Sequence, residues 1–337
     1  MIVAMRGGIL RKHLDRKGRR RGQAAAALAL ALSGLASCGP GAKAPDLPHA
    51  PASLTPRFYA PRGWTWGSLK LKDGTALRYG VASPPVVPRG DVLLIADRAE
   101  PAEVWFETAN ELIDRGYTVW ALESGTSKSA SALDPANGAF SGMVGDVIRP
   151  HRKLVLAAQG LGATLAIRGL SETGVGRVTG AVLASPALAP AGIDLGVSPN
   201  QVQTAAEWAS RLRMGWVELP GDGQPRLGTA PVGMDPKRAG VAAAWRRSDP
   251  ALKSKRTTLG WVWGYDSSIR AAQAPEAATM PVVMAATAGD QRAAWACTQL
   301  KTCKLWAVPT SAPHLARDEM RKLWLARIVG LPEASPR

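Results

Sequence analysis

The sequence predicts an α/β protein in which a mostly parallel central sheet is flanked by helices and carries an inserted cap. Three observations predict it. Short apolar runs at Asp91–Ala96, Tyr117–Leu122, Lys153–Ala158 and Val178–Ser185 alternate with segments of helical apolar spacing, the pattern of strands buried on both faces. One run leads straight into Gly160, Gly162 and a helical segment, so a strand turns sharply into a helix there. The alternation then stops at Pro186 and resumes at Met280, leaving an insertion of about 90 residues over the sheet's carboxyl edge, where ligands bind in open α/β folds.

The elements follow in order. Asp73-Gly74 favours a tight hairpin between strands at Trp64–Leu71 and Thr75–Val81. After the strand at Asp91–Ala96, the segment Pro101–Arg115 spaces Val104, Phe106, Ala109 and Leu112 as one helical face and stops at Gly116. Tyr117–Leu122 is the next strand. Lys153–Ala158 precedes a helix at Ala163–Leu170, and Val178–Ser185 follows it. Past the insertion come a strand at Met280–Ala286, a helix near Gln291–Leu300, a strand at Cys303–Val308 and a closing helix at Leu315–Val329.

The 337 residues carry a net charge of +16. Eight basic residues against Asp15 place +7 of it in residues 1–37, and the other 300 residues carry +9. No stripe of Lys and Arg interleaved with aromatics follows, so nucleic acid is not expected as a partner. With 46% hydrophobic and 20% charged residues, the chain is neither disordered nor a multi-span membrane protein.

Residues 24–37 are an apolar run of 14 behind a cluster of arginines, too short for a span of about 20 residues and shaped like a secretory signal. Leu35, Ala36, Ser37 and Cys38 resemble a bacterial lipoprotein box, in which the peptide is cut before a cysteine that takes a diacylglycerol. The alternative is a chance cysteine behind a signal peptide. Arg19–Arg21 are followed by Gly22 and Gln23 where twin-arginine export wants bulky apolar residues, and translation can also begin at Met5. Residues 38–57 hold five prolines and read as a tether of up to roughly 50 Å. Gly39 stands where an aspartate would signal inner-membrane retention, which favours an outer-membrane anchor facing the periplasm. Cys297 and Cys303 then form an even pair outside the cytoplasm; a disulfide is the favoured reading and two buried free thiols the alternative. The expected division is 1–37 signal, 38–57 tether, 58–186 with 279–337 core, and 187–278 cap.

The segment Val155–Ala166 has the strand–turn–helix context of a nucleophile elbow, G-x-S-x-G, and its five positions read Ala158, Gln159, Gly160, Leu161 and Gly162. Glycine occupies the serine position. Asp290 after the penultimate strand and His314 after the last one continue the order nucleophile, acid, histidine of α/β-hydrolases. Taken alone, an Asp in a loop is a turn or cap residue and a lone His is an exposed or satisfied one; their joint placement is what points to a site. The four histidines are scattered, and neither a metal nor a cofactor is expected.

At these residues the chain resembles the lysophospholipase and monoacylglycerol lipase branch of the α/β-hydrolase fold, the serine aminopeptidase-like hydrolases, from about Phe58 to Leu331. Matching segments are Leu93–Glu107, Arg115–Val119, the degenerate elbow, Val182–Leu188, Met234–Arg238, Thr257–Trp261 and the residues before Asp290 and around His314. The resemblance implies an oxyanion hole after the first parallel strand, in a segment like L-P-G-R-x-E. Ala96 and Asp97 stand there, with Arg98 and Glu100 retained, and Leu161 follows the nucleophile position. The loop resembling D-x-R-G-x-G-x-S reads Glu123 to Ser129, and the usual H-E reads His314-Leu315.

Glycine enters the strained elbow conformation at little cost, so Gly160 spares the fold while removing the attacking oxygen. A carboxylate at Asp97 repels a developing oxyanion. The expectation is a lipid-anchored envelope protein inactive as a serine hydrolase and acting as a binding or scaffolding module. The alternative is an active lysophospholipase- or esterase-like hydrolase in which His314 and Asp290 serve Ser124, Ser127, Ser129 or an activated water. Twelve tryptophans, five of them in the insertion, suggest a cap that holds an acyl lipid or other small ligand, or one simply packed onto the sheet.

Overall fold

The computed structural model describes residues 50–337 except 73, 75, 98–99, 124–137, 149–151, 171–176, 187–198, 219–234, 250–251, 253–257, 265–266, 268–279, 288–289, 310–314 and 335–337. Residues 1–37, expected to be a signal, and Cys38, Arg98, Ser124, Ser127, Ser129 and His314 lie outside the described residues. Residues 47–337 form one compact unit.

Eight strands make one sheet: β1 (Thr65–Lys70), β2 (Ala76–Ala82), β3 (Gly90–Ile95), β4 (Tyr117–Leu122), β5 (Leu154–Gln159), β6 (Val178–Ala184), β7 (Val282–Thr287) and β8 (Cys303–Val308). Their order is β1-β2-β4-β3-β5-β6-β7-β8. β2 pairs antiparallel with β1 and β4, and every other pair is parallel. Each strand named from an apolar run is present. β3 and β5 are buried along their whole length, which is why they read as continuous apolar runs rather than alternating ones.

Alternate residues of these strands feed two cores. Leu93, Ile95, Leu156 and Ala158 face Phe140, Met143, Ala166 and Ile167 on one side. Val92, Leu94, Val155 and Ala157 face Trp105, Phe106, Leu112, Trp324 and Ile328 on the other. The first layer holds α2 (Leu161–Gly169) and α5 (Gln291–Gln299); the second holds α1 (Phe106–Asp114) and α6 (Arg321–Ala334). Burying each of the larger side chains among these contributes about 1.5–3 kcal/mol, so the sandwich dominates the stability of the unit. Between β6 and β7 lie α3 (Pro199–Arg211) and α4 (Val241–Ser248), with a short helix at Pro236–Ala239 before the latter.

Two elements differ from the sequence reading. The closing helix is split: a 3-10 turn at Leu315–Arg317 precedes α6, because buried Asp318 accepts the Met320 amide at 2.7 Å and so starts a new helix. A helix at Ala139–Gly142 continuing into a π turn at Met143–Val147 carried no periodic signal in its surroundings, yet it buries Phe140 and Met143 in the first layer. Cys297 and Cys303 are joined as a disulfide, with Cα atoms 5.3 Å apart, tying the end of α5 to the start of β8.

Register sets the site. β3 pairs with β4 on one side and β5 on the other, and Ile95 lies opposite both Leu122 and Ala158. The chain leaving β3 therefore emerges beside the chain leaving β5, at the point where the strand order switches direction.

Candidate active site at the β5 elbow

Gly160 links β5 to α2 with φ 56° and ψ −127°, a conformation that a residue with a Cβ enters only with strain. Backbone bonds fix the turn: the Gly160 amide donates to Ala184 O at 3.0 Å, and its carbonyl accepts from Ala163 and Thr164 at 3.1 and 3.2 Å. At Gly162 an added Cβ would stand 2.5 Å from Ile95 O and 2.7 Å from Ala96 O, so α2 passes the end of β3 at a distance only glycine permits. The elbow that the sequence pattern implies is thus intact in its backbone.

The space beside the elbow residue is occupied by Asp97. Its Oδ1 accepts the Leu161 amide at 2.7 Å. A Cβ built on Gly160 would lie 2.2 Å from Asp97 Cγ and Oδ1 and 2.4 Å from Oδ2. The carboxylate therefore stands where a nucleophile's side chain would begin, bonded to the amide that follows it. An anion there is favoured by the N-terminal end of α2. Ala96 is fully buried, and its amide is committed to Leu122 O at 3.1 Å.

Asp290 is the N-cap of α5 and accepts the Ala293 amide at 3.0 Å. His314 lies outside the described residues. The chain just after it is anchored to the elbow: Leu315 is fully buried, and the Ala316 amide donates to Oε1 of buried Gln159 at 3.4 Å. The insertion's tryptophans divide: Trp245 and Trp261 are buried, Trp263 is half-buried, and Trp208 and Trp216 are exposed. Trp245 meets Phe106 edge-on at 5.4 Å, so it packs α4 against α1.

One cluster near the site was missed in the sequence. Arg78 on β2 reaches Glu103 Oε2 at 2.8 Å and Glu123 Oε1 at 2.6 Å, and its guanidinium lies 4.0 Å over the Trp66 ring. Glu123 also accepts the Ala102 amide at 3.2 Å, holding the start of the loop after β4 to the turn that follows β3. Burial pushes the Glu103 carboxyl up to about 7 against the pull of Arg78. Burial opposes the charge on Arg78, but the two carboxylates outweigh it and raise its proton affinity. The available signal was a charge inside each of three apolar segments. A cavity of about 10 Å³, lined by Leu77, Phe140, Leu165 and Arg168 among others, borders Glu123 and has room for at most one water.

No family model and no curated protein sequence matches the chain. Solved structures share its architecture. A soluble variant of monoglyceride lipase from Saccharomyces cerevisiae, in complex with a substrate analog, aligns with a TM-score of 0.55 and 14% identity over 80% of this chain and 96% of that one. A monoacylglycerol lipase from Paleococcus ferrophilus gives 0.57 and 16% over 77% and 99%. A thermostable carboxyl esterase from Bacillus coagulans, in complex with glycerol, gives 0.55 and 13% over 80% and 98%. The chain has the α/β-hydrolase fold, with an eight-stranded, mostly parallel sheet and flanking helices.

Proposed function

We propose that the protein is a lipid-anchored envelope protein that uses this fold without serine hydrolase chemistry and acts as a binding or scaffolding module. The observation that carries the reading is the Asp97 carboxylate on the Leu161 amide, in the space a nucleophile would need. Acyl transfer on this fold requires an oxygen on the elbow residue and free amide donors for the oxyanion. Residue 160 has no side chain, and the Leu161 amide already holds an anion. A substrate carbonyl would have to displace a charge-assisted bond to reach that donor. Loss of the nucleophile alone costs about a millionfold in rate in a comparable triad.

Cys38, the apolar run before it and the proline-rich segment after it support anchoring at an outer membrane, facing the periplasm. The Cys297–Cys303 disulfide supports an oxidising compartment. An acyl lipid or other small ligand under the cap is the partner this reading favours, and the water-sized cavity beside Phe140 is not its place.

The test is hydrolysis of short acyl esters by the purified chain, together with labelling by a fluorophosphonate probe. We expect neither. Turnover that disappears in His314→Ala would overturn the reading, and a label on Ser124, Ser127 or Ser129 would establish a displaced serine in its place.

A further inference from the structure

α3 buries Val202, Ala206 and Ala209 against the protein, and the run that completes it turns four large apolar side chains outward. Trp208 is 57% exposed, Leu212 63%, Met214 43% and Trp216 71%. Nine large apolar side chains are exposed among the described residues, and these four fall within nine consecutive positions. The exposure is not a general habit of the chain, since Trp64, Trp105, Trp245, Trp261 and Trp324 are all buried. Nor is the patch a loose end. Leu212 and Met214 donate to Trp208 O and Ala209 O at 2.9 and 2.7 Å, and Gly260 and Leu259 donate to Gly215 O and Val217 O, each at 2.9 Å. The turn passes through Arg213 in the left-handed region, φ 57°.

Its charges are basic at the tip. The Arg211 guanidinium lies 5.6 Å from the Trp208 ring and pairs with Glu207, the acid of the preceding turn, at 2.5 Å. Arg213 is exposed and meets no carboxylate among the described residues. Indole rings beside aliphatic side chains, fringed by arginine, match the layered chemistry of a bilayer surface: acyl chains for Leu and Met, the glycerol level for Trp, phosphate for Arg. The +9 carried by residues 38–337 adds a long-range attraction to an anionic surface.

We propose that this face of the cap lies on an anionic phospholipid surface, with Trp208, Leu212, Met214 and Trp216 entering the interface and Arg211 and Arg213 on its phosphates. Lipidation of Cys38 is not required for the contact.

The test uses residues 38–337, which contain the whole compact unit and lack the arginine-rich apolar segment, carrying Cys38→Ser, so that no lipid is attached and Cys297 and Cys303 are bonded to each other. A fluorophore is placed at Leu212→Cys or, as a control far from the cap, at Val87→Cys, another exposed apolar position. Vesicles of phosphatidylcholine with one quarter phosphatidylglycerol should shift the probe at 212 to the blue and leave the probe at 87 unchanged. Trp208→Ser with Trp216→Ser should weaken sedimentation with these vesicles at least about tenfold, with an unchanged Tm. Arg211→Gln with Arg213→Gln should bring binding measurably closer to that seen with phosphatidylcholine alone. Equal shifts at both positions, or undiminished binding by the tryptophan variant, would overturn the proposal. So would a lipid-free dimer that the tryptophan variant dissolves, since a second copy would then cover the face. Because the chain is unlipidated, failure here leaves the anchoring at Cys38 to its own test by mass spectrometry.

Discussion

A Cβ on residue 160 would stand 2.2 Å from both Cγ and Oδ1 of Asp97, well inside van der Waals contact, so positions 160 and 97 cannot change independently. Restoring serine at 160 forces the carboxylate off the Leu161 amide and places a side chain at φ 56° and ψ −127°. The backbone strain costs about 1–3 kcal/mol, and a lost helix cap about 1 kcal/mol more. Gly160→Ser should therefore destabilise the chain by about 2–4 kcal/mol. Asp97→Gly should cost about 1 kcal/mol for the cap. In the double variant the clash has already gone and the cap is lost only once, so the combined loss should fall short of the sum by about 1 kcal/mol or more. Urea denaturation of the four proteins closes the cycle, and strictly additive losses would mean that Asp97 does not occupy the nucleophile's space. Asp97 was legible in the sequence as a charge in the wrong place for an oxyanion. That it fills the space of the missing side chain was not legible, because the contact joins residues 64 positions apart through the pairing of β3 with β5.

Between elements, the Arg78 cluster fastens β2, the 3-10 turn at Ala102–Trp105 and the end of β4 to one another. Two carboxylates share one guanidinium, and Glu103 is fully buried. Its carboxyl titrates at about 7 in the fold against 4.5 as the reference. An acid whose folded value is raised contributes stability that is complete below about pH 4.5 and lost as pH climbs to about 7, after which the loss is constant. The gap is worth on the order of 3 kcal/mol. Glu103→Gln keeps the Arg78–Glu123 pair and removes this titration, so the stability difference between the variant and the parent should move in the variant's favour from pH 5 to pH 8. A difference that does not vary with pH would show that Glu103 titrates as in water. β4 was legible to the residue because its apolar run reports burial on both faces, and the edge strand β8 was legible from its short apolar run although most of it is not buried. The helix at Ala139–Gly142 and the break before α6 were not, since one depends on a tertiary contact through Phe140 and the other on a single side chain, Asp318. Asp290 shows the same limit at the site: a cap and an active-site acid after a strand have the same local sequence, and the structure shows the cap.

At the scale of the whole molecule, parts distant in sequence converge on Glu107 of α1. Arg57 from the 3-10 turn at Pro56–Phe58 approaches it at 3.6 Å, Arg238 from the insertion at 2.6 Å and Arg321 from α6 at 3.5 Å. Arg238 also pairs with Asp235, and Arg321 with Glu111 at 2.5 Å, so the arginines and acids balance. The Arg57 contact is largely exposed and worth little. Of the other two, Arg321 is buried with 3% of its side chain exposed, and Arg238 is half-buried with 14% exposed. The hydrogen bonds from Arg238 to both Glu107 oxygens raise its proton affinity, so the guanidinium stays charged at any working pH. Removing the carboxylate leaves Arg238 with Asp235 and Arg321 with Glu111 as their remaining acids, so what is lost is one set of charge-assisted hydrogen bonds, about 1.5–3 kcal/mol. Glu107→Gln should accordingly lower stability by about that amount. Limited proteolysis should then cut first in the insertion, whose short helix at Pro236–Ala239 is held to the sheet's helical layer through Arg238. Replacing Arg238 with Met in the Glu107→Gln background should recover part of the loss, because it removes a half-buried charge left without one of its two acids. If the double variant were instead as unstable as the two single losses combined, Glu107 would not be the anchor that joins the insertion to the sheet.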